Sequence, residues 1–266
     1  MDTTRFIRCL LSLVFAWLIG IDHCTASTDP RPPTRPGQPR VLFILASSPV
    51  HGTSTLPASI SFGEVVNAWD VFHAAGYPVD FVSPAGGAVP LLDTYVSSEV
   101  AGRLHDERIM AGLRGTVRPS EVDPARYQAV YYVGGSNAMY GVPEDPGLHK
   151  IAMQVYERNG GVVSAVCHGT AGLVNLRLVD GRYLVAGRRI TGYPEQYEDQ
   201  DAAYFKQFPF PIGKTIEARG GTFRVLERDQ SHVEIDGRVV TGQNYPSAAK
   251  VAEAVVQMLR QPEPKQ

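Results

Sequence analysis

Gly161-Val-Val-Ser-Ala-Val-Cys167-His168-Gly169-Thr-Ala-Gly172-Leu173 decides how this chain is read. Residues 162–166 are apolar or small, as expected of a strand buried on both faces. That run passes directly into Cys-His-Gly and then into small residues able to start a helix. A strand turning sharply into a helix, with a reactive side chain at the corner, is the layout of a nucleophile elbow. Gly169 and Ala171 leave room for the close packing such a turn requires. The Cys167 thiol would sit near a helix N-terminus, where free N–H groups and the dipole favour a thiolate.

The flanking sequence repeats the same alternation. Val41–Leu45, Val79–Val82 and Ala129–Val133 read as further buried strands. The last two end in Ser83-Pro-Ala-Gly-Gly87 and Gly134-Gly135. Gly63–Ala75, residues 99–113, Leu148–Arg158 and Ser247–Leu259 read as helices, with Gly76 and Asn159-Gly-Gly161 as stops. Strand–helix alternation predicts an α/β fold: a doubly wound, mostly parallel sheet flanked by helices, a flavodoxin-like sandwich. Val179-Asp-Gly-Arg182 and Ile235-Asp-Gly-Arg238 look like turns of small antiparallel hairpins. Such sheets place their sites at the carboxyl ends of the strands.

The 266 residues carry 25 Lys+Arg against 27 Asp+Glu, a net charge of −2, which excludes a basic nucleic-acid binder. Arg5 and Arg8 precede a 13-residue apolar run, Cys9–Ile21, and small residues follow at Cys24-Thr-Ala26. These are the three parts of a secretory signal peptide, with cleavage after Ala26. The run is shorter than the roughly 20 residues that span a bilayer, so no stable membrane span is expected after processing, and the protein is expected to be secreted or periplasmic. Residues 27–39 contain five prolines and read as an extended tether. One domain is expected over 40–261, with a short tail at 262–266. Cleavage would remove Cys9 and Cys24. Cys167 would then be the single thiol of an exported chain, either buried and inert or present for its chemistry.

Ala165-Val-Cys167-His168-Gly169 resembles the nucleophile motif of the ThiJ/PfpI branch of the class I glutamine amidotransferase-like superfamily. Within it the chain looks closest to the glyoxalase III and heat-shock chaperone subgroup. Gly63-Glu64, the segment Ala75–Gly87, Gly134-Gly135 with Met139-Tyr140 and Pro143, Ile190–Tyr193 with Glu198, and Asp236–Asn244 extend the likeness over residues 40–260. The pattern departs at Ser136-Asn137, where relatives have His-Gly, and at Thr170, where they have proline. Those changes bear on the substrate more than on the nucleophile.

The resemblance implies roles. Cys167 would be the nucleophile and His168 the proton shuttle. Glu64 would share a proton with the sulfur. An acidic residue, Glu198 or its neighbours Asp199 or Glu195, would orient His168. The backbone N–H groups of Gly135 and His168 would form an oxyanion site. The implied activity is conversion of small 2-oxoaldehydes such as methylglyoxal to 2-hydroxy acids, with no cofactor and no metal. Cysteine amidase or peptidase chemistry is the alternative, as is a chaperone or redox-sensing role. The expected partner is a small carbonyl compound, and the likeness leaves room for a homodimer. His232-Val-Glu234 has the spacing of an amidotransferase pair, but its alternation reads as a surface strand. His51, His73, His105 and His149 show no metal-ligand spacing.

Overall fold

A computed structural model of the protein describes residues 38–261. The leader at 1–26, residues 27–37 of the tether and the tail 262–266 lie outside the described residues. The strands are β1 (Arg40–Ile44), β2 (Val79–Val82), β3 (Tyr127–Tyr132), β4 (Val162–Val166), β5 (Arg189–Ile190), β6 (Thr222–Phe223), β7 (Val233–Asp236) and β8 (Val239–Gly242). Six of them form one sheet in the order β2-β1-β3-β4-β8-β7, while β5 and β6 make a separate parallel pair. The large sheet is parallel except for the edge strand β7, which pairs antiparallel with β8.

Burial on both faces explains the apolar runs. Alternate side chains of β1 enter different cores. Val41 and Phe43 meet residues of α1 (Phe62–Ala74), α2 (Glu107–Arg114) and α5 (Ala248–Arg260). Leu42 and Ile44 meet those of α3 (Pro146–Met153) and α4 (Ile212–Ala218). Phe43 is the hub of the first core. Its ring stacks on Tyr131 at 4.9 Å and meets Phe72 and Phe81 edge-on. At the amino ends of the strands, Arg40 binds both oxygens of Asp80 at 2.6 Å, and the Tyr127 hydroxyl donates to Asp80 at 2.9 Å. Among the described residues, no helix is long and apolar enough to cross a membrane.

Several expected elements change form. The helix predicted over 99–113 is split into a 3-10 stretch, Ala101–His105, and α2, because the Asp106 side chain accepts the Arg108 N–H and opens a new helix. The helix predicted over 148–158 starts earlier, where Asp145 caps it and Pro146 occupies its first turn. It then widens into a π-turn over Gln154–Arg158. The hairpin at Val179-Asp-Gly-Arg182 shrinks to one antiparallel bridge between Arg177 and Tyr183. The segment after β4 is a 3-10 coil, Cys167–Leu173, not an α-helix. It is pressed against β3: a Cβ on Gly169 would lie 2.3 Å from the Tyr132 carbonyl oxygen.

Candidate active site

Cys167 follows β4 at φ +55°, and no other non-glycine among the described residues has a positive φ. Left-handed backbone costs an L-residue roughly 1–2 kcal/mol. The strained turn swings the thiol out of the strand direction into a pocket of about 420 Å³, a size suited to a small molecule. Cys167 is 8% exposed and His168 8%.

Glu64, in the first turn of α1, is 1% exposed. Its Oε2 accepts the Gly134 N–H at 2.9 Å, and the carboxyl also hydrogen-bonds the Cys167 thiol and Ser61. The approach is close enough that a Cβ on Gly134 would lie 2.5 Å from Glu64 Oε2 and 2.9 Å from Cys167 Cβ. Burial lifts the Glu64 carboxyl to about 8, against the pull of those bonds. Burial also pushes the Cys167 thiol up, helped by the Glu64 charge, while the His168 backbone N–H draws it back. At neutral pH both the carboxyl and the thiol therefore keep their protons, and the two groups meet through a hydrogen bond.

His168 lies on the other side of the sulfur. Its Nδ1 is 3.5 Å from Sγ, and its Nε2 is 2.6 Å from Glu198 Oε1. Glu198 Oε2 accepts the Tyr204 hydroxyl at 2.8 Å. Burial works to raise the Glu198 carboxyl, but the His168 and Tyr204 bonds outweigh it and hold the group below its usual range. The other two carboxylates of this window are engaged elsewhere. Glu195 accepts the Gly213 N–H at the start of α4, at 3.3 Å, and Asp199 accepts the Asp201 N–H at 3.1 Å. Glu198 is therefore the carboxylate that the fold brings to His168.

Gly135 ends the turn after β3 at φ +103°, where a Cβ would fall 2.4 Å from the Ser59 carbonyl oxygen. It lines the pocket beside Cys167 and His168. The structure thus gathers Cys167, His168, Glu198, Glu64 and Gly135 around one cavity. His232 and Glu234 are not among the residues that line it. They face one another at 3.2 Å on the edge hairpin, half-buried rather than fully on the surface.

The DJ-1/PfpI family model matches residues 59–258. The chain belongs to the DJ-1/PfpI family. Glyoxalase 3 of Candida albicans is 32% identical over 205 residues, covering 73% of this chain and 86% of its own. Glutathione-independent glyoxalase hsp3102 of Schizosaccharomyces pombe is 28% identical over 216 residues, covering 75% and 88%. The solved structure of glyoxalase III from Candida albicans superposes with a TM-score of 0.73 at 29% identity, covering 82% of this chain and 96% of that one. Drosophila melanogaster DJ-1beta, at 19% identity, shares the fold with a TM-score of 0.52.

Several pocket residues of this DJ-1/PfpI protein carry no signal in the sequence. Tyr204 lies in the 199–211 segment, which has no readable periodicity. Arg228 reaches the pocket from a loop that the buried amides of Gln243 and Asn244 hold by its backbone at 2.8–3.2 Å, and its side chain hydrogen-bonds the Tyr193 hydroxyl. Gln243 and Asn244 fall within a stretch that the family likeness marks, but nothing local tells what they hold. Among the described residues, no group of three or more His, Cys, Asp or Glu side chains could hold a metal ion.

Proposed function

We propose that this protein is a glutathione-independent glyoxalase of the glyoxalase III type, converting 2-oxoaldehydes such as methylglyoxal to 2-hydroxy acids. The observation that carries the reading is the thiol of Cys167 held between a carboxyl that keeps its proton and a histidine backed by a carboxylate. The likeness to glyoxalase 3 of Candida albicans and glyoxalase hsp3102 of Schizosaccharomyces pombe supports the substrate class.

The reading runs in four steps. The sulfur attacks the aldehyde carbon as its S–H bond breaks; Glu64 takes that proton and gives its own to the new oxyanion, leaving a neutral thiohemiacetal and a carboxyl that is still protonated. His168, with its Nε2–H donated to the Glu198 carboxylate, presents Nδ1 as a base. It removes the proton from the former aldehyde carbon, and the electrons of that C–H bond form an enediol. Return of a proton to the neighbouring carbon leaves a thioester on Cys167. Water then breaks the C–S bond, releasing the 2-hydroxy acid and restoring the thiol. The sum is addition of one water to the 2-oxoaldehyde, with no external oxidant or reductant. We assign the oxyanion to Gly135 N–H and His168 N–H, because both residues line the pocket beside Cys167.

Lactate formation from methylglyoxal tests this. Cys167→Ala is expected to lower turnover by at least about 1000-fold; equal rates in wild type and variant would end the reading. We also propose export, supported by the basic start and apolar run of residues 5–21. The expected result is protein outside the cytoplasm with a mature N-terminus at Ser27; protein found only in the cytoplasm with Met1 intact would contradict it.

A further inference from the structure

We propose that the Ser136 hydroxyl is a further catalytic group of this site, donating a hydrogen bond to the second carbonyl oxygen of the 2-oxoaldehyde. The proposal rests on the glyoxalase reading and deepens it, because it says how the pocket distinguishes two adjacent carbonyls from one.

Ser136 follows Gly135 directly and lines the same pocket as Cys167 and His168. Two side chains hold its Oγ: Tyr95 Oη at 2.9 Å and His51 Nε2 at 3.3 Å. His51 is 2% exposed, and its other ring nitrogen, Nδ1, faces the Tyr140 hydroxyl at 3.4 Å. Its ring packs against Tyr140, Tyr204 and Phe208, and its backbone is fixed by the Leu56 carbonyl and the Ser54 hydroxyl. The imidazole therefore has one orientation.

Donor bookkeeping allows one arrangement of these bonds in which the serine proton is free, and the proposal takes it. A tyrosine hydroxyl has one proton and an imidazole nitrogen without hydrogen can only accept. With Tyr140 donating to Nδ1, the His51 proton resides on Nε2 and is donated to Ser136 Oγ. Burial, and then His168 whenever it carries a proton, hold His51 below its usual pKa, which favours this neutral form. With the Tyr95 hydroxyl donating as well, both lone-pair positions of Ser136 Oγ are filled. The serine proton is left for the pocket.

That proton is useful at one stage. When His168 takes the proton from the first carbon, negative charge gathers on the oxygen of the second. A fixed donor aimed there stabilises the transition state more than the ground state. A simple aldehyde has no such oxygen, so this contact would not assist it. His51 and Tyr95 act through Ser136 and are positioning residues.

The test compares methylglyoxal turnover with the rate at which iodoacetamide alkylates Cys167. Ser136→Ala is expected to lower kcat about 100-fold, the scale for one lost oxyanion donor, with alkylation within about twofold of wild type. His51→Ala should follow it, and His51→Gln, which returns an N–H near the Nε2 position, should recover most of the loss. Tyr95→Phe, at the less buried end of the chain, removes one donor and should lower kcat by about threefold to tenfold, which keeps the test available if Ser136→Ala does not fold. Wild-type kcat in Ser136→Ala would overturn the proposal, and so would a fall in alkylation rate parallel to the fall in kcat. A wild type that makes no lactate would instead overturn the glyoxalase reading, and Ser136's role with it.

Discussion

At neutral pH the Glu64 carboxyl, lifted to about 8 by its burial, keeps its proton beside the Cys167 thiol. This has a stability consequence whose sign is fixed. The folded carboxyl holds its proton more tightly than the unfolded one, so its contribution is fully present below the unfolded value near 4.5 and is lost as pH rises towards 8. Within that window stability should fall by about 1.4 kcal/mol per pH unit from this group. Glu64→Gln keeps the shape and the acceptor for Gly134 but cannot ionise. Urea unfolding at pH 5 and pH 8 should show wild type losing several kcal/mol relative to the variant over that range; parallel profiles would contradict it. Tyr204 acts one bond further out, by holding Glu198 Oε2. Tyr204→Phe should lower kcat/KM for methylglyoxal by about tenfold, a net hydrogen bond to a charged group, with Cys167 alkylation unchanged; an unchanged kcat/KM would remove Tyr204 from the site. At this scale the sequence was partly legible. Cys167 and His168 stand out because the elbow is a local pattern. Glu198 could not be told from Glu195 and Asp199, because three carboxylates within five residues differ only in what the folded loop places beside them. Tyr95 and Arg228 carry no local mark, since each comes to the pocket from a distant loop, and neither does His51, which reaches Ser136 from another.

The elements that meet at the pocket do so through backbone. The turn after β3, the first turn of α1 and the coil after β4 converge on Gly134, whose missing side chain lets Glu64 and Cys167 approach. Gly134→Ala is therefore expected to cost at least about 100-fold in turnover, as displacement of a reacting group by about 1 Å does. A variant with wild-type turnover and an intact Glu64–Gly134 bond would show that the packing there is slack. The strands were legible because burial on both faces leaves a continuous apolar run, as in β1 and β4. The coil after Cys167 was not: small residues allow both an α-helix and a tighter coil, and the nearness of Tyr132 selects the latter. Nor was the break at Asp106, where a side-chain cap outweighs the helical spacing around it.

Across the molecule, β1 is the common support. It lies between β2 and β3, where the strand order reverses, and loops leaving the carboxyl ends of β1, β3 and β4 bring Ser61, Gly135, Cys167 and His168 to the pocket. Phe43 binds this strand to the first core through three aromatic contacts. Phe43→Ala should lower unfolding free energy by about 3–5 kcal/mol; a loss under about 1 kcal/mol would show that the core closes over the gap. The complete reaction is likewise a property of the whole assembly of loops, and its intermediate can be observed. Methylglyoxal labelled with 13C at the aldehyde carbon, mixed with a stoichiometric amount of protein, should give a protein-bound thiohemiacetal signal in the NMR spectrum that converts to the lactate carboxyl. The signal should be absent with Cys167→Ala. Lactate formed by that variant at the wild-type rate, or no labelled species on the wild-type protein and no conversion, would contradict carbonyl chemistry at Cys167.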